Sequence, residues 1–292
     1  MMKILDLKLT KAYYKLTKPG IIRGNAVTAT AGFLLGADGR FMLASYLWML
    51  IGLSLIIASA CVFNNYIDRD IDKKMARTKK RGFVTGEVSV KGALVYGTIL
   101  GFLGTISLFY FANRLALGIA LGGFFIYVVL YGLAKRRSVH GTIVGSFAGA
   151  APILTGYVAA TNHFDGAGLI LFLILVLWQM PHFYAIAIYR QDDYAAANLP
   201  VLPVKTSVEN AKVQIILYTA FFTISAMSLS LLGFAGKTYL FVASILGISW
   251  LVRGVRGLNA PDTRVWARKM FVHSLIIITV LCLAISLNSV LP

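Results

Sequence analysis

Apolar stretches of membrane-spanning length recur from one end of this chain to the other and leave little room for anything else. A helix needs roughly 20 mostly apolar residues to cross a bilayer core. Such stretches fall near 20–38, 42–66, 92–112, 115–133, 141–160, 168–189, 211–233, 238–252 and 269–290. The expected fold is all-α: a polytopic membrane protein of about nine transmembrane helices, forming one integral membrane domain over residues 1–292. With 58% hydrophobic and 13% charged residues, composition excludes a water-soluble domain. Residues 1–19 carry five lysines and no continuous apolar run, which predicts an interfacial arm and not a cleavable leader.

A net charge of +17 suggests nucleic acid until its distribution is read. With a cytoplasmic N-terminus and nine spans, 25 of the 28 Lys and Arg residues fall on the cytoplasmic side, leaving Arg40, Arg114 and Lys237 outside. That is the positive-inside pattern, and it predicts a C-terminus on the outer side and no nucleic-acid partner. Cys61 and Cys282 fall inside spans, where a thiol is a packing residue, and no disulfide or zinc framework is visible.

The acids gather in two places, NNYIDRDIDKKMARTKKR (64–81) at the end of the second span and YRQDDY (189–194) at the end of the sixth. Asn64, Asp68 and Asp72 are spaced i, i+4, i+8, so a continuing helix would hold them on one face with the outer two roughly 12 Å apart. That separation is too wide for a closed cage. It suits Mg²⁺, which keeps waters and is held by one or two carboxylates together with substrate phosphates. On the same helix Arg69, Lys73 and Arg77 would form a basic stripe beside the acidic one, followed by Lys80 and Arg81. Metal and cations together would stabilise a diphosphate leaving group. Asp70 points elsewhere and is expected to be solvated or paired with Lys74. An ordinary charged loop would share this composition, but not an Asn and two acids in register at a span's end, where unpaired acids are costly.

Lys135, Arg136 and Arg137 follow the fourth span, either as a topology signal or as further phosphate ligands, and His140 opens the fifth as a cap or interfacial residue. In WQMPHFYAIAIYR (178–190), Gln179, Pro181 and His182 interrupt an apolar span. Pro181 frees a carbonyl and kinks the helix. His182 beside it either contacts a ligand, an iron or a carboxylate, or satisfies the freed backbone. A diphosphate site at the interface of a lipid-embedded body describes a prenyl diphosphate as substrate.

At these residues the chain resembles the intramembrane aromatic prenyltransferases related to 4-hydroxybenzoate polyprenyltransferase, and within them the heme O synthase branch. The resemblance rests on LTKPGI, NNYIDRDIDKKMARTKKR, RRSVHGTIVGSFAGAAP, WQMPHFYAIAIYRQDDYAAANLPVLPV and DTRVWARKMF. It implies a central cavity open to the cytoplasmic face of the cell inner membrane, and a Mg²⁺-dependent transfer of the farnesyl group of farnesyl diphosphate to heme B. It also implies a downstream partner that takes the product, a terminal oxidase or heme A synthase. In that scheme Asn64, Asp68 and Asp72 hold the metal. Arg69, Lys73, Arg77, Lys80, Arg81 and Lys135 to Arg137 bind the diphosphate, while His182, Arg190, Gln179 and His140 are candidates for the heme. The wider family's second motif, DxxxD, is altered here, with Asp192 and Asp193 inside Arg190–Tyr194. This puts a second metal in doubt and favours the heme branch over the quinone branches. A quinone-type acceptor, or a heme-handling or transport protein without catalysis, is the competing expectation.

Overall fold

The computed structural model describes residues 2–288, with side chains from residue 7. The described chain is all helical: α1 (Met2–Leu16), α2 (Pro19–Ala37), α3 (Leu43–Ile67), α4 (Arg69–Asp72), α5 (Gly82–Thr85), α6 (Val90–Phe111), α7 (Arg114–Phe125), α8 (Tyr131–Arg137), α9 (Gly141–Thr161), α10 (Gly166–Tyr189), α11 (Gln191–Ala196), α12 (Leu202–Lys205), α13 (Val208–Leu231), α14 (Lys237–Arg256) and α15 (Thr263–Ser286). One π-helical turn, Ile126–Leu130, joins α7 to α8 into a single rod from Arg114 to Arg137.

Eight of the long helices are apolar enough to cross a membrane. The ninth predicted span is present as α2, which has 19 residues but carries Arg23, Asn25, Thr28 and Thr30 and falls outside that set. Small residues let it lie close against α9 instead. A methyl group at Gly32 would sit 2.0 Å from the Ile153 carbonyl oxygen, and one at Gly156 only 1.9 Å from that of Ala29. Close backbone approach of this kind is how helices associate where hydrophobic burial offers no gain. The N-terminal arm is helix α1, whose Ala12 and Leu16 pack on Val62, Val88 and Ala93. The C-terminal residue 292 lies outside the described residues.

Helix starts are set by side-chain caps. Ser89, Asn113, Asp165, Ser207 and Asp262 each accept a hydrogen bond from the backbone N–H three residues on. Large apolar side chains such as Ile99, Phe102, Phe221, Ile224 and Phe241 face outward, as a lipid solvent requires. Helices α9 and α10 are the most buried of the spans, and each carries a proline in its middle, Pro152 and Pro181. Around them α2, α3, α7 and α15 enclose a cavity of about 600 Å³. Its walls run from Lys135, Tyr131 and Tyr194 at a charged end to Ile57, Val27 and Pro152 deeper in. Both cysteines, buried and free, line it.

Candidate functional site

The first acidic motif keeps its register but not its helix. Helix α3 ends at Ile67, Asp68 takes φ −88° and ψ 2°, and the chain leaves helical geometry after Asp72. Hydrogen bonds nonetheless run from Asp68 N to Asn64 O (2.9 Å) and from Asp72 N to Asp68 O (2.8 Å), so the 64, 68, 72 spacing survives the kink. Asn64, Asp68 and Asp72 are all buried.

Each of the three is met by a cation from elsewhere in the chain. Lys18 Nζ donates to Asn64 Oδ1 at 2.8 Å, with the Tyr127 hydroxyl donating to the same oxygen at 3.2 Å. Lys135 Nζ donates to Asp68 Oδ2 at 2.5 Å, and Arg81 Nη1 to both Asp72 oxygens at 2.9 and 2.7 Å. Asp68 Oδ1 is buried with no hydrogen-bond partner among the described residues, and Arg136 Nη2 lies 3.9 Å from it. Buried polar atoms in native folds are nearly always satisfied. An open carboxylate oxygen, on a residue in i, i+4 register with a second carboxylate and an amide, is the hard-oxygen chemistry that fits Mg²⁺.

Arg136 reaches across to Asp70, making two hydrogen bonds of 2.8 Å, and also donates to the Ile67 carbonyl. Asp70 is exposed, as expected, but its partner is Arg136 and not Lys74. The Arg136 hydrogen bonds hold its carboxyl well below the usual range. The end of α8 is thus clamped onto the α3–α4 kink, which is why Lys135 arrives at Asp68.

The basic stripe expected from a continuing helix does not form, because residues 73–81 are turns. Arg69 folds back onto Tyr66, donating to its carbonyl at 2.9 Å with the guanidinium 4.2 Å from the ring centroid. Lys73, Arg77, Lys80 and Arg137 are exposed, and only Arg81 turns inward. Burial raises the Tyr194 hydroxyl, opposed first by the charge of Arg77.

The second acidic cluster meets the first across the charged end. Asp193 Oδ1 accepts from Ala76 N at 3.3 Å and Oδ2 lies 3.7 Å from Arg190 Nη1, while Ile71 and Met75 pack on Tyr194, Ala197 and Leu199. Asp192 instead points to Arg264 at 2.8 Å. Arg190, at the C-terminal end of α10, is held by Asp193 and by the ring of its neighbour Tyr189 and is not among the residues lining the cavity. Gln179 is buried and bridges helices, its Nε2 donating to Ser146 O (3.0 Å) and Leu175 O (2.9 Å). His182 lines the cavity, with Trp178 stacked on it at 4.6 Å and its Nδ1 2.7 Å from Ser274 Oγ. His140 is exposed at the start of α9 and is not part of the cavity wall.

Two residues at Asn64 are absent from the sequence reading. Lys18 has φ 52°, an uncommon backbone for a residue before proline and a form of strain typical of functional positions. Burial lowers its ammonium to about 8. The Lys-Pro pair in LTKPGI was its only signal. Tyr127 comes from the π-helical turn, a device that often marks functional sites, in a run whose letters give no hint of it.

The model of the UbiA prenyltransferase family matches residues 25–276. The chain belongs to that family. Its relatives include proteins named protoheme IX farnesyltransferase: that of Cronobacter sakazakii is 50% identical over 285 residues, 97% of each chain, and that of Pectobacterium atrosepticum 51% identical over 286 residues, again 97% of each. Among solved structures the fold is shared with a digeranylgeranylglyceryl phosphate synthase, at a TM-score of 0.81 and 20% identity, covering 97% of this chain and 99% of that one. It is also shared with a UbiA homolog from Archaeoglobus fulgidus bound to GPP and Mg²⁺, at 0.68 and 18% identity, covering 94% of this chain and 99% of that one.

Proposed function

We propose that this protein transfers the farnesyl group of farnesyl diphosphate to the 2-vinyl group of heme B with addition of water, giving heme O. The observation that carries this reading is the roughly 50% identity, over nearly the whole length of both chains, to relatives named protoheme IX farnesyltransferase. The whole chain acts as one membrane domain, multi-pass in the cell inner membrane. Its charged end and N-terminus face the cytoplasm, because 25 of the 28 Lys and Arg residues then lie on that side.

Asn64, Asp68 and Asp72 are the residues that would hold Mg²⁺. The ion, when bound, supplies charge neutralisation of the leaving group. Lys18, Arg81 and Lys135, each within 3 Å of one of those side chains, would exchange carboxylate or amide oxygen for diphosphate oxygen as the substrate enters. Arg136 keeps the α8 end in place through Asp70. Arg69, Lys73, Arg77, Lys80 and Arg137 supply the exposed positive field that draws the diphosphate in. The isoprenoid lies in the apolar cavity, in the volume range of small-molecule sites.

When the allylic C–O bond breaks, diphosphate leaves with the electron pair. The terminal vinyl carbon bonds to the farnesyl carbon, placing the positive charge next to the porphyrin ring. Water adds there and loses a proton, leaving a hydroxyl group. The aromatic faces of Tyr127, Tyr131 and Trp178 line the cavity where that charge develops. His182 and Gln179 face the acceptor from the cavity wall, and Arg190, at the end of α10, is the cation assigned to a propionate.

A quinone-type acceptor would use the same diphosphate site, so the test offers both. Labelled farnesyl diphosphate is given to the purified protein with heme B or with 4-hydroxybenzoate. Label entering the heme fraction alone is expected, and label entering the hydroxybenzoate alone would replace this reading with the quinone one.

A further inference from the structure

The hydrogen bonds around Ser274 determine which nitrogen of His182 carries the proton. Ser274 is fully buried on α15, opposite the Pro181 segment of α10. Its hydroxyl has a single proton to give, and it gives it to the Phe271 carbonyl at 2.6 Å. Toward His182, 2.7 Å away, the Ser274 oxygen can then only accept. His182 Nδ1 must therefore be the N–H, and in a neutral ring that leaves Nε2 with a free lone pair.

That lone pair is held in place and kept open. The Trp178 ring stacks on the imidazole with 27° between planes, and Phe271 and Phe183 close on it at 5.0 and 5.1 Å. Trp178 is itself anchored by Nε1, which donates to the Ser274 carbonyl at 2.9 Å, so one serine fixes both residues of the WQMPH segment. Nε2 has no hydrogen-bond partner among the described residues, and His182 lines the cavity. A neutral imidazole whose far N–H is committed to an oxygen acceptor is the usual state of a histidine that binds a metal, and imidazole suits iron. A histidine placed merely to satisfy the carbonyl freed by Pro181 would spend its hydrogen bond there and not on α15.

We propose that His182 Nε2 is the axial ligand to the iron of the porphyrin substrate, and that Ser274 is the positioning residue that reserves that nitrogen for it. This rests on the heme reading above and deepens it by fixing how the acceptor is gripped: by its metal, with the ring plane steered by Trp178.

The test uses the full-length protein in detergent with ferric heme B and no farnesyl diphosphate, read by absorption and electron paramagnetic resonance. Wild type should show a histidine-ligated heme. H182A should lose that signature, and added imidazole should restore it. S274A should keep a folded protein but weaken ligation about 10- to 100-fold, with S274T restoring it through the same hydroxyl. Identical heme spectra in wild type, H182A and S274A would overturn the proposal. The heme product is measured in parallel on wild type. Farnesylated heme made by a protein whose spectrum ignores His182 sinks the ligation alone, whereas no heme bound or modified by wild type sinks the heme reading with it.

Discussion

The ion pair between Lys135 and Asp68 gives a prediction that separates folding from chemistry. Their side chains are 13% and 12% exposed and 2.5 Å apart, so they are coupled with little help from water. Removing one partner of such a pair costs about 3–5 kcal/mol, because the other charge stays buried. In K135M the remaining neighbour of Asp68 is Arg136 at 3.9 Å. Since attraction falls inversely with distance, it retains roughly two-thirds of what Lys135 supplied. The loss should then sit near the lower bound, about 3 kcal/mol, which for a chain of this size is a fall of about 6–12 °C in unfolding midpoint. The double variant K135M/D68N removes both charges and should recover to within about 1 kcal/mol of wild type. Turnover should not recover, because the metal-holding carboxylate and the diphosphate cation are both gone. The assay is thermal unfolding in detergent beside product formation for wild type, both single variants and the double. A K135M protein that melts with wild type, or a double variant no more stable than the singles, would refute the coupling. A stable double variant with wild-type turnover would refute the functional assignment.

Other outcomes follow from the same geometry. Asp72→Asn should lower turnover by roughly 10²–10³-fold while the protein still inserts, and wild-type rates would remove Asp72 from the metal set. Gly156→Ala should cut the yield of folded protein, since its methyl group would lie 1.9 Å from the Ala29 carbonyl oxygen, whereas Gly20→Ala, with nothing within 4 Å, should melt with wild type. Reporters fused at Lys80 and in the loop before Lys237 should report opposite sides of the membrane, with Lys80 cytoplasmic; the same side for both would overturn the topology.

What could be read from the sequence follows from the range of the forces involved. Span positions were legible because an apolar run of about 20 residues has few other fates in a bilayer, and even the polar α2 appears where an α-helix was expected. The Asn64, Asp68, Asp72 register was legible because local i to i+4 hydrogen bonds carry it through the kink at Asp68. The basic stripe was misread because nothing in DKKMARTKKR marks where the helix stops, and Arg81 reaches Asp72 by a turn that a helical projection cannot draw. Lys18 and Tyr127 were invisible for another reason: they meet Asn64 from 46 and 63 residues away, and only packing of α2 and the π-helical turn brings them there. Ser274 is 92 residues from His182, so the tautomer it imposes had no sequence signal.

The most direct test of the central claim is to incubate the purified protein with heme B, farnesyl diphosphate and Mg²⁺, extract the hemes and measure their masses. The expected product is a heme heavier by one farnesyl group and one water, absent when Mg²⁺ is chelated and absent in Asp68→Asn. Unmodified heme B from a folded protein that binds farnesyl diphosphate would contradict it.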